Sequence, residues 1–127
     1  MRSTLFLALA LAAVTSELTY AHHFLVASYY FDRTTTVEGR VVQFLLRNPH
    51  SFVQVEGPDE TRHIEMWLVE WGDGGQLGRA GVSFGTLKPG DRVIVTGNPS
   101  RNPVEHKLRM VTILRPSDGW RWTEQNE

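Results

Sequence analysis

Apolar and polar residues alternate along five segments of this chain, a pattern typical of strands that bury one face. The strands are predicted at residues 36–46, 51–56, 62–71, 92–97 and 107–114. Turn-forming residues separate them, including Asn48 and Pro49 before the second strand and Pro89 and Gly90 before the fourth. Gly39 lies inside the first strand and predicts a bulge or a bend there.

The glycine-rich stretch between the third and fourth strands leaves room for one short helix. We place this helix around residues 76–80, closed by Gly81. Three strands, a helix and two more strands form the element order of an OB-type barrel. We therefore predict an all-β fold, a five-stranded OB-like barrel with one short helix between strands 3 and 4. A small open sandwich is the alternative, and residues 116–127 are expected to form a polar tail.

The first 21 residues have the layout of a secretory signal peptide. A short positive start precedes ten apolar residues, Leu5 to Val14, and small residues stand at Thr19 and Ala21. Ten residues are too few to span a bilayer, which needs roughly 20. We expect cleavage after Ala21, a single domain at residues 22–127 in the periplasm or outside the cell, and no stable membrane insertion of the mature chain. A retained anchor helix is the alternative.

The charge balance and the lack of cysteine argue against several classes of function. The chain has 127 residues, 13 Lys and Arg, 14 Asp and Glu, a net charge of −1 and no cysteine. A balanced charge argues against nucleic acid as the main partner, because phosphate binding needs a basic excess. Without cysteine there is no thiolate metal site and no cysteine nucleophile. The sequence also lacks a nucleophile elbow and a phosphate-binding loop, so an enzyme is the less favoured class.

Two histidines follow the predicted cleavage site, and a third lies in a turn. As the first residue, His22 would offer its α-amine, with a pKa of about 8, and its ring nitrogen. His23 adds an imidazole, and His50 projects from a proline turn that would hold it rigidly. Nitrogen donors in tetragonal geometry suit Cu(II), so these three are the candidate copper ligands. The alternatives are a soluble histidine-rich start and a turn histidine bonded to backbone.

Acidic residues cluster near the end of the third strand, at Glu65, Glu70 and Asp73. Glu70 has apolar neighbours on both sides, which predicts partial burial and a need for a partner such as Arg47, Arg79 or a histidine. We assign Glu70 as an outer metal ligand or an orienting group. An ordinary exposed strand end is the alternative.

The remaining candidate ligands are expected to have structural roles. His63 and His106 are predicted to be surface residues, since neither belongs to a tight ligand spacing. Met66 and Met110 could offer thioethers to Cu(I). Both lie on apolar strand faces, so core packing is the expected role.

Several short motifs occur in a fixed order along the chain. They are the start Ala21-His22-His23, the run from Gly39 to Asn48-Pro49-His50, the Trp67-x-x-Glu70 step and residues 87–93. In this order the chain resembles the DUF6152 family of small exported bacterial proteins, over nearly the whole predicted mature length. The family's histidine pair, its N-P-H turn and its W-x-x-E step map onto these residues. The resemblance implies export and a small β-barrel-like fold, and it implies no particular activity.

These observations favour a periplasmic metal-binding domain, with copper as the expected cofactor and the metal ion as the expected partner. A different class is an OB-like binding module without metal, in which Phe44, Phe52 and Trp67 dock a peptide, a glycan or a protein partner. A third is an accessory subunit of an exported redox enzyme.

Overall fold

The structure, a computed structural model, describes residues 25–125. The predicted signal peptide, His22 and His23 lie outside the described residues. Six strands and one helix follow in order: β1 (Thr35–Leu45), β2 (Phe52–Pro58), β3 (Ile64–Glu70), the connecting helix (Gly74–Arg79), β4 (Arg92–Pro99), β5 (Lys107–Arg115) and β6 (Trp120–Thr123). Residues 25–28 are also helical. Within the described range, no helix is long and apolar enough to cross a membrane.

Five strands close into a barrel. Hydrogen-bonded neighbours follow the order β3-β2-β1-β4-β5-β6, and β3 also pairs with β5. The β3–β5 pairing is parallel and aligns Leu68 with Lys107 and Glu70 with Arg109, whereas the other pairings are antiparallel. Because the pairing of β3 with β5 joins the two ends of the five-stranded sheet, it leaves a closed barrel with OB-like strand order. The predicted fold class is confirmed.

A bulge in β1 changes which residues face the barrel interior. Val42 has no partner in register, because the pairing with β2 shifts between Val41 and Gln43. An inserted residue moves the following side chains to the other face of a strand. Before the bulge, the odd-numbered Val37 and Val41 face the core. After the bulge, the even-numbered Phe44 and Leu46 pack against the same core.

Gly39 is required by close contact between strands. A Cβ atom at this position would clash with the backbone carbonyl of Glu56 on β2. The irregularity expected at Gly39 is thus a close backbone approach there, and the bulge itself lies three residues later.

The core consists of apolar residues from all five barrel strands, the connecting helix and the loops on either side of it: Val37, Val41, Val53, Val55, Trp67, Val69, Trp71, Leu77, Val82, Leu87, Val93, Val95, Leu108, Met110 and Ile113. Met110 is buried, as expected. The expectation for Met66 is wrong, since 44% of it is exposed. The opposite face of β3 carries Trp67 and Val69, and burial of the large indole outweighs burial of a thioether.

The segment expected to be a polar tail contains a strand. β6 pairs antiparallel with the end of β5, with Thr123 opposite Thr112. Trp120 and Trp122 pack against the core, and the Trp122 ring lies 5.2 Å from the ring of Trp71 in an edge-on arrangement. The alternation of tryptophan with polar residues in this segment is the period-2 signal of a strand.

The connecting helix lies between β3 and β4, as predicted. Its N-cap is Asp73, whose carboxylate accepts a hydrogen bond from the Gln76 backbone N–H at 2.9 Å. Leu77 is the buried residue that holds the helix to the barrel. Asp73, one of the acidic candidates, therefore has a structural role.

Candidate functional site

The loop that carries His50 is held firmly against the segment after β3. The backbone N–H of Gly74 donates to the Asn48 side-chain oxygen at 2.8 Å. The N–H of Ser51, a fully buried residue, donates to the carbonyl of Gly72 at 2.9 Å. These bonds on both sides of His50 fix its backbone relative to the end of β3.

Glu70, the last residue of β3, lies beneath this loop and is only 7% exposed. Its Oε1 is 3.4 Å from Nδ1 of His50. Its Oε2 accepts a short hydrogen bond from the Tyr29 hydroxyl and lies 3.9 Å from Nζ of Lys107. The predicted burial of Glu70 is confirmed, and its partners include a histidine but neither Arg47 nor Arg79.

Tyr29 remains a permanent donor to this carboxylate. Burial, and then the hydrogen bond to Glu70, raise the pKa of Tyr29 well above its ordinary value. The phenol therefore stays protonated throughout the physiological range and keeps its hydrogen on Oε2. With Tyr29 and Lys107 both at Oε2, the other oxygen is left facing His50.

His50 is exposed, with 46% of its side chain accessible. Its Nδ1 faces Glu70, and its Nε2 has no partner among residues 25–125. A carboxylate beside Nδ1 favours the tautomer with hydrogen on that nitrogen, which leaves the Nε2 lone pair available to an ion.

An open groove runs past this histidine. Its lining includes His50, Glu70, Trp71, Trp122 and Leu25, the first described residue. The indole N–H of Trp71 is buried and has no hydrogen-bond partner within the described part of the chain. The groove therefore brings the start of the described chain to the same surface as His50.

A second cluster combines two carboxylates with a histidine. Nε2 of His106 is 3.7 Å from Oδ2 of Asp59, and Nδ1 is 3.9 Å from Oε2 of Glu65. One ligand atom from each residue lies within 4.8 Å of the others, so the group could hold a metal ion. The sequence carries no local signal for this arrangement, because the three residues come from separate segments, and His106 was predicted to be only a surface residue.

Asp59 is held in place by the turn between β2 and β3. Its Oδ1 accepts hydrogen bonds from the backbone and hydroxyl of Thr61, at 2.8 and 2.7 Å, and from the backbone of His63, at 3.0 Å. The Thr61 hydroxyl and these backbone bonds hold the pKa of Asp59 below its usual range. Oδ2 makes none of these bonds and faces His106.

A metal-free binding module was expected to use Phe44, Phe52 and Trp67 as an exposed docking face, and this prediction is wrong for Trp67. Trp67 is 6% exposed, and its indole N–H donates to the carbonyl of Gly57 at 3.3 Å. Phe44 packs on Trp71, with ring centroids 5.8 Å apart. Trp67 belongs to the core, so these aromatic residues do not form a shared exposed face.

Of the four predicted metal-site residues, the structure brings His50 and Glu70 together, and the other two lie outside residues 25–125. The fold and the two clusters define a small OB-like barrel domain with a group of side chains that could hold a metal ion. The model of the family described as "Family of unknown function (DUF6152)" matches residues 9–109. The chain belongs to this family, and the resemblance predicted from its motifs is confirmed.

One solved structure similar to this chain is the mitochondrial single-stranded DNA-binding protein Rim1 of S. cerevisiae. The two are 12% identical, the match covers 64% of this chain and 90% of that chain, and the TM-score is 0.46. A comparison with curated proteins gave no match.

Proposed function

We propose that this protein is an exported copper-binding domain. His50 is one ligand, Glu70 orients it, and His22 and His23 of the processed amino terminus supply the remaining nitrogens. The observation that carries the proposal is the buried Glu70 carboxylate, 3.4 Å from Nδ1 of an exposed histidine.

A carboxylate behind a histidine is the usual support for a metal ligand. It fixes the ring and the tautomer and makes the second nitrogen a better donor. Glu70 orients the ligand here rather than binding the ion. Its Oε2 is occupied by Tyr29, and the positive charge of Lys107 lies 3.9 Å from that oxygen. A cation placed there would be repelled by the ammonium group.

The predicted mature amino terminus, His22, lies three residues before Leu25 in the sequence. Leu25 lines the groove that contains His50, and three residues of chain span at most roughly 10 Å. Tyr29 joins the following residues to Glu70 through its hydroxyl. An α-amine and imidazole nitrogens form a donor set that favours Cu(II) over harder divalent ions.

The test uses protein purified from a host that exports it, with the first residue determined by intact mass. Calorimetric titration with Cu(II) is expected to give a dissociation constant tighter than about 10 μM. Replacing His50→Gln removes a ligand, and Glu70→Gln weakens its orientation, each with an expected loss of roughly 10- to 100-fold.

His63→Gln is the matched control, because it changes an exposed histidine on the β2–β3 turn. Its copper affinity is expected to equal that of the wild type. A first residue other than His22, or a His50→Gln variant that binds copper as the wild type does, contradicts the proposal.

A further inference from the structure

We propose that Asp59, Glu65 and His106 form a second cation site, separate from the His50 site, that binds a borderline divalent ion of the Zn²⁺ type. The inference does not depend on copper binding. It rests on the charge, the preorganisation and the donor chemistry of this cluster.

The charge of the cluster is unbalanced. Asp59 and Glu65 both lie beside the His106 ring, and no lysine or arginine in the described range forms an ion pair with either. Every other ion-paired carboxylate between residues 25 and 125 contacts at least one arginine or lysine: Asp32, Glu38, Glu70, Asp91, Asp118 and Glu124. The two carboxylates outnumber the one histidine, and a divalent cation between them is attracted by both.

The ligand atoms are already oriented. Three hydrogen bonds to Oδ1 fix the Asp59 carboxylate and leave Oδ2 toward His106. The His106 ring stands edge-on to the buried Trp67 ring, with centroids 5.1 Å apart. The ligand atoms lie no more than 4.8 Å apart, so closing on an ion with bonds of about 2 Å needs side-chain shifts of about an ångström.

The donor set selects the ion. One imidazole nitrogen and two carboxylate oxygens are a set of three protein ligands that leaves a fourth, open position on Zn²⁺. Ca²⁺ requires roughly six to eight oxygens, and Mg²⁺ prefers an octahedral shell of oxygen and water. Neither demand is met by a site with two carboxylates and an imidazole.

Each cluster takes one residue from β3, and the two residues lie near opposite ends of that strand. Glu65 and Glu70 are five residues apart on β3, which corresponds to about 16 Å along the strand. A single ion cannot bridge that distance. Each site can therefore be removed without changing the ligands of the other.

The test is a calorimetric titration of the full chain with Zn²⁺ in a His50→Gln background, which weakens the first site by removing one of its ligands. We expect a dissociation constant below about 100 μM. In that background Asp59→Asn keeps an oxygen for the three turn hydrogen bonds but loses the anionic Oδ2. It is expected to weaken Zn²⁺ binding at least about tenfold, as are His106→Gln and Glu65→Gln.

Glu60→Gln is the control from the same turn, because it removes an exposed carboxylate that is not one of the three ligands, and it is expected to leave Zn²⁺ affinity unchanged. Far-ultraviolet circular dichroism establishes whether each variant is folded. If one of the three ligand variants does not fold, the other two carry the test. Zn²⁺ binding weaker than about 1 mM, or unchanged in Asp59→Asn and His106→Gln, overturns the site. In that case the histidine only pairs with the two carboxylates.

Discussion

Replacing Tyr29→Phe removes one hydroxyl from the buried Glu70 carboxylate and leaves the aromatic ring in place. Tyr29 is 1% exposed, and its hydroxyl is the hydrogen-bond donor to Oε2. A hydrogen bond to a charged group contributes roughly 1.5–3 kcal/mol. The Lys107 ammonium remains 3.9 Å away and offsets part of the loss. We therefore expect the free energy of unfolding to fall by about 1.5–2 kcal/mol.

Urea denaturation measures this change directly, and for a domain of about 100 residues the fall corresponds to a Tm decrease of roughly 6–16 °C. Tyr30→Phe is the matched control. Tyr30 is the next residue, and its ring lies under the guanidinium groups of Arg33 and Arg101, contacts that phenylalanine keeps. If Tyr29→Phe is as stable as Tyr30→Phe to within about 0.5 kcal/mol, the proposed support of Glu70 is wrong.

The same residue predicts an alkaline limit to stability. The folded-state pKa of Tyr29 is raised above its ordinary value of 10.0 by burial and by Glu70. The neutral phenol therefore stabilises the fold below pH 10.0, and this contribution is lost as the pH rises above that value. Between pH 9 and 11 the wild type is expected to lose stability more steeply than Tyr29→Phe. Equal slopes in urea denaturation would contradict this assignment.

Three further changes test the fold. Gly39→Ala forces a methyl group against the backbone of β2 and is expected to cost about 1–3 kcal/mol in urea denaturation; an unchanged midpoint would argue against the close approach. Met110→Ala is expected to lower the free energy of unfolding by about 2–5 kcal/mol, because the Met110 side chain is buried. Met66→Ala changes an exposed side chain and is expected to change it by less than about 0.5 kcal/mol. Equal losses in the two variants would contradict the assignment of Met66 to the exposed face of β3. The Arg115 guanidinium holds the pKa of Asp118 below its usual 3.8, so the stability advantage of the wild type over Asp118→Asn should shrink as the pH falls below 3.8, and a constant difference would refute it.

The period of the apolar residues was sufficient to predict five strands and the connecting helix, because each barrel strand buries one face. It could not decide which face of β3 is buried, since Met66 and Trp67 both stand on apolar sides of the strand. That choice depends on the volume available inside a closed barrel. The bulge at Val42 was equally hidden, because one unpaired residue leaves the composition of β1 unchanged.

The two clusters differ in how much of them local sequence reveals. A proline turn singled out His50, and apolar neighbours singled out Glu70, so each was a candidate before their contact was known. The partner Tyr29 is 41 residues from Glu70 and had no local signal. The Asp59 cluster was missed for the same reason. His106 reaches Glu65 only because β5 pairs in parallel with β3, and spacing along the chain does not encode that pairing.

The short strand β6 has a consequence for self-association. It occupies the hydrogen-bonding edge of β5 from Thr112 to Arg115, where the β3 pairing no longer reaches. An open edge of that kind is a template onto which a strand of another molecule can add. A protease that removed β6 would therefore expose both this edge and the indole of Trp71, and would convert a discrete domain into a nucleus for aggregation.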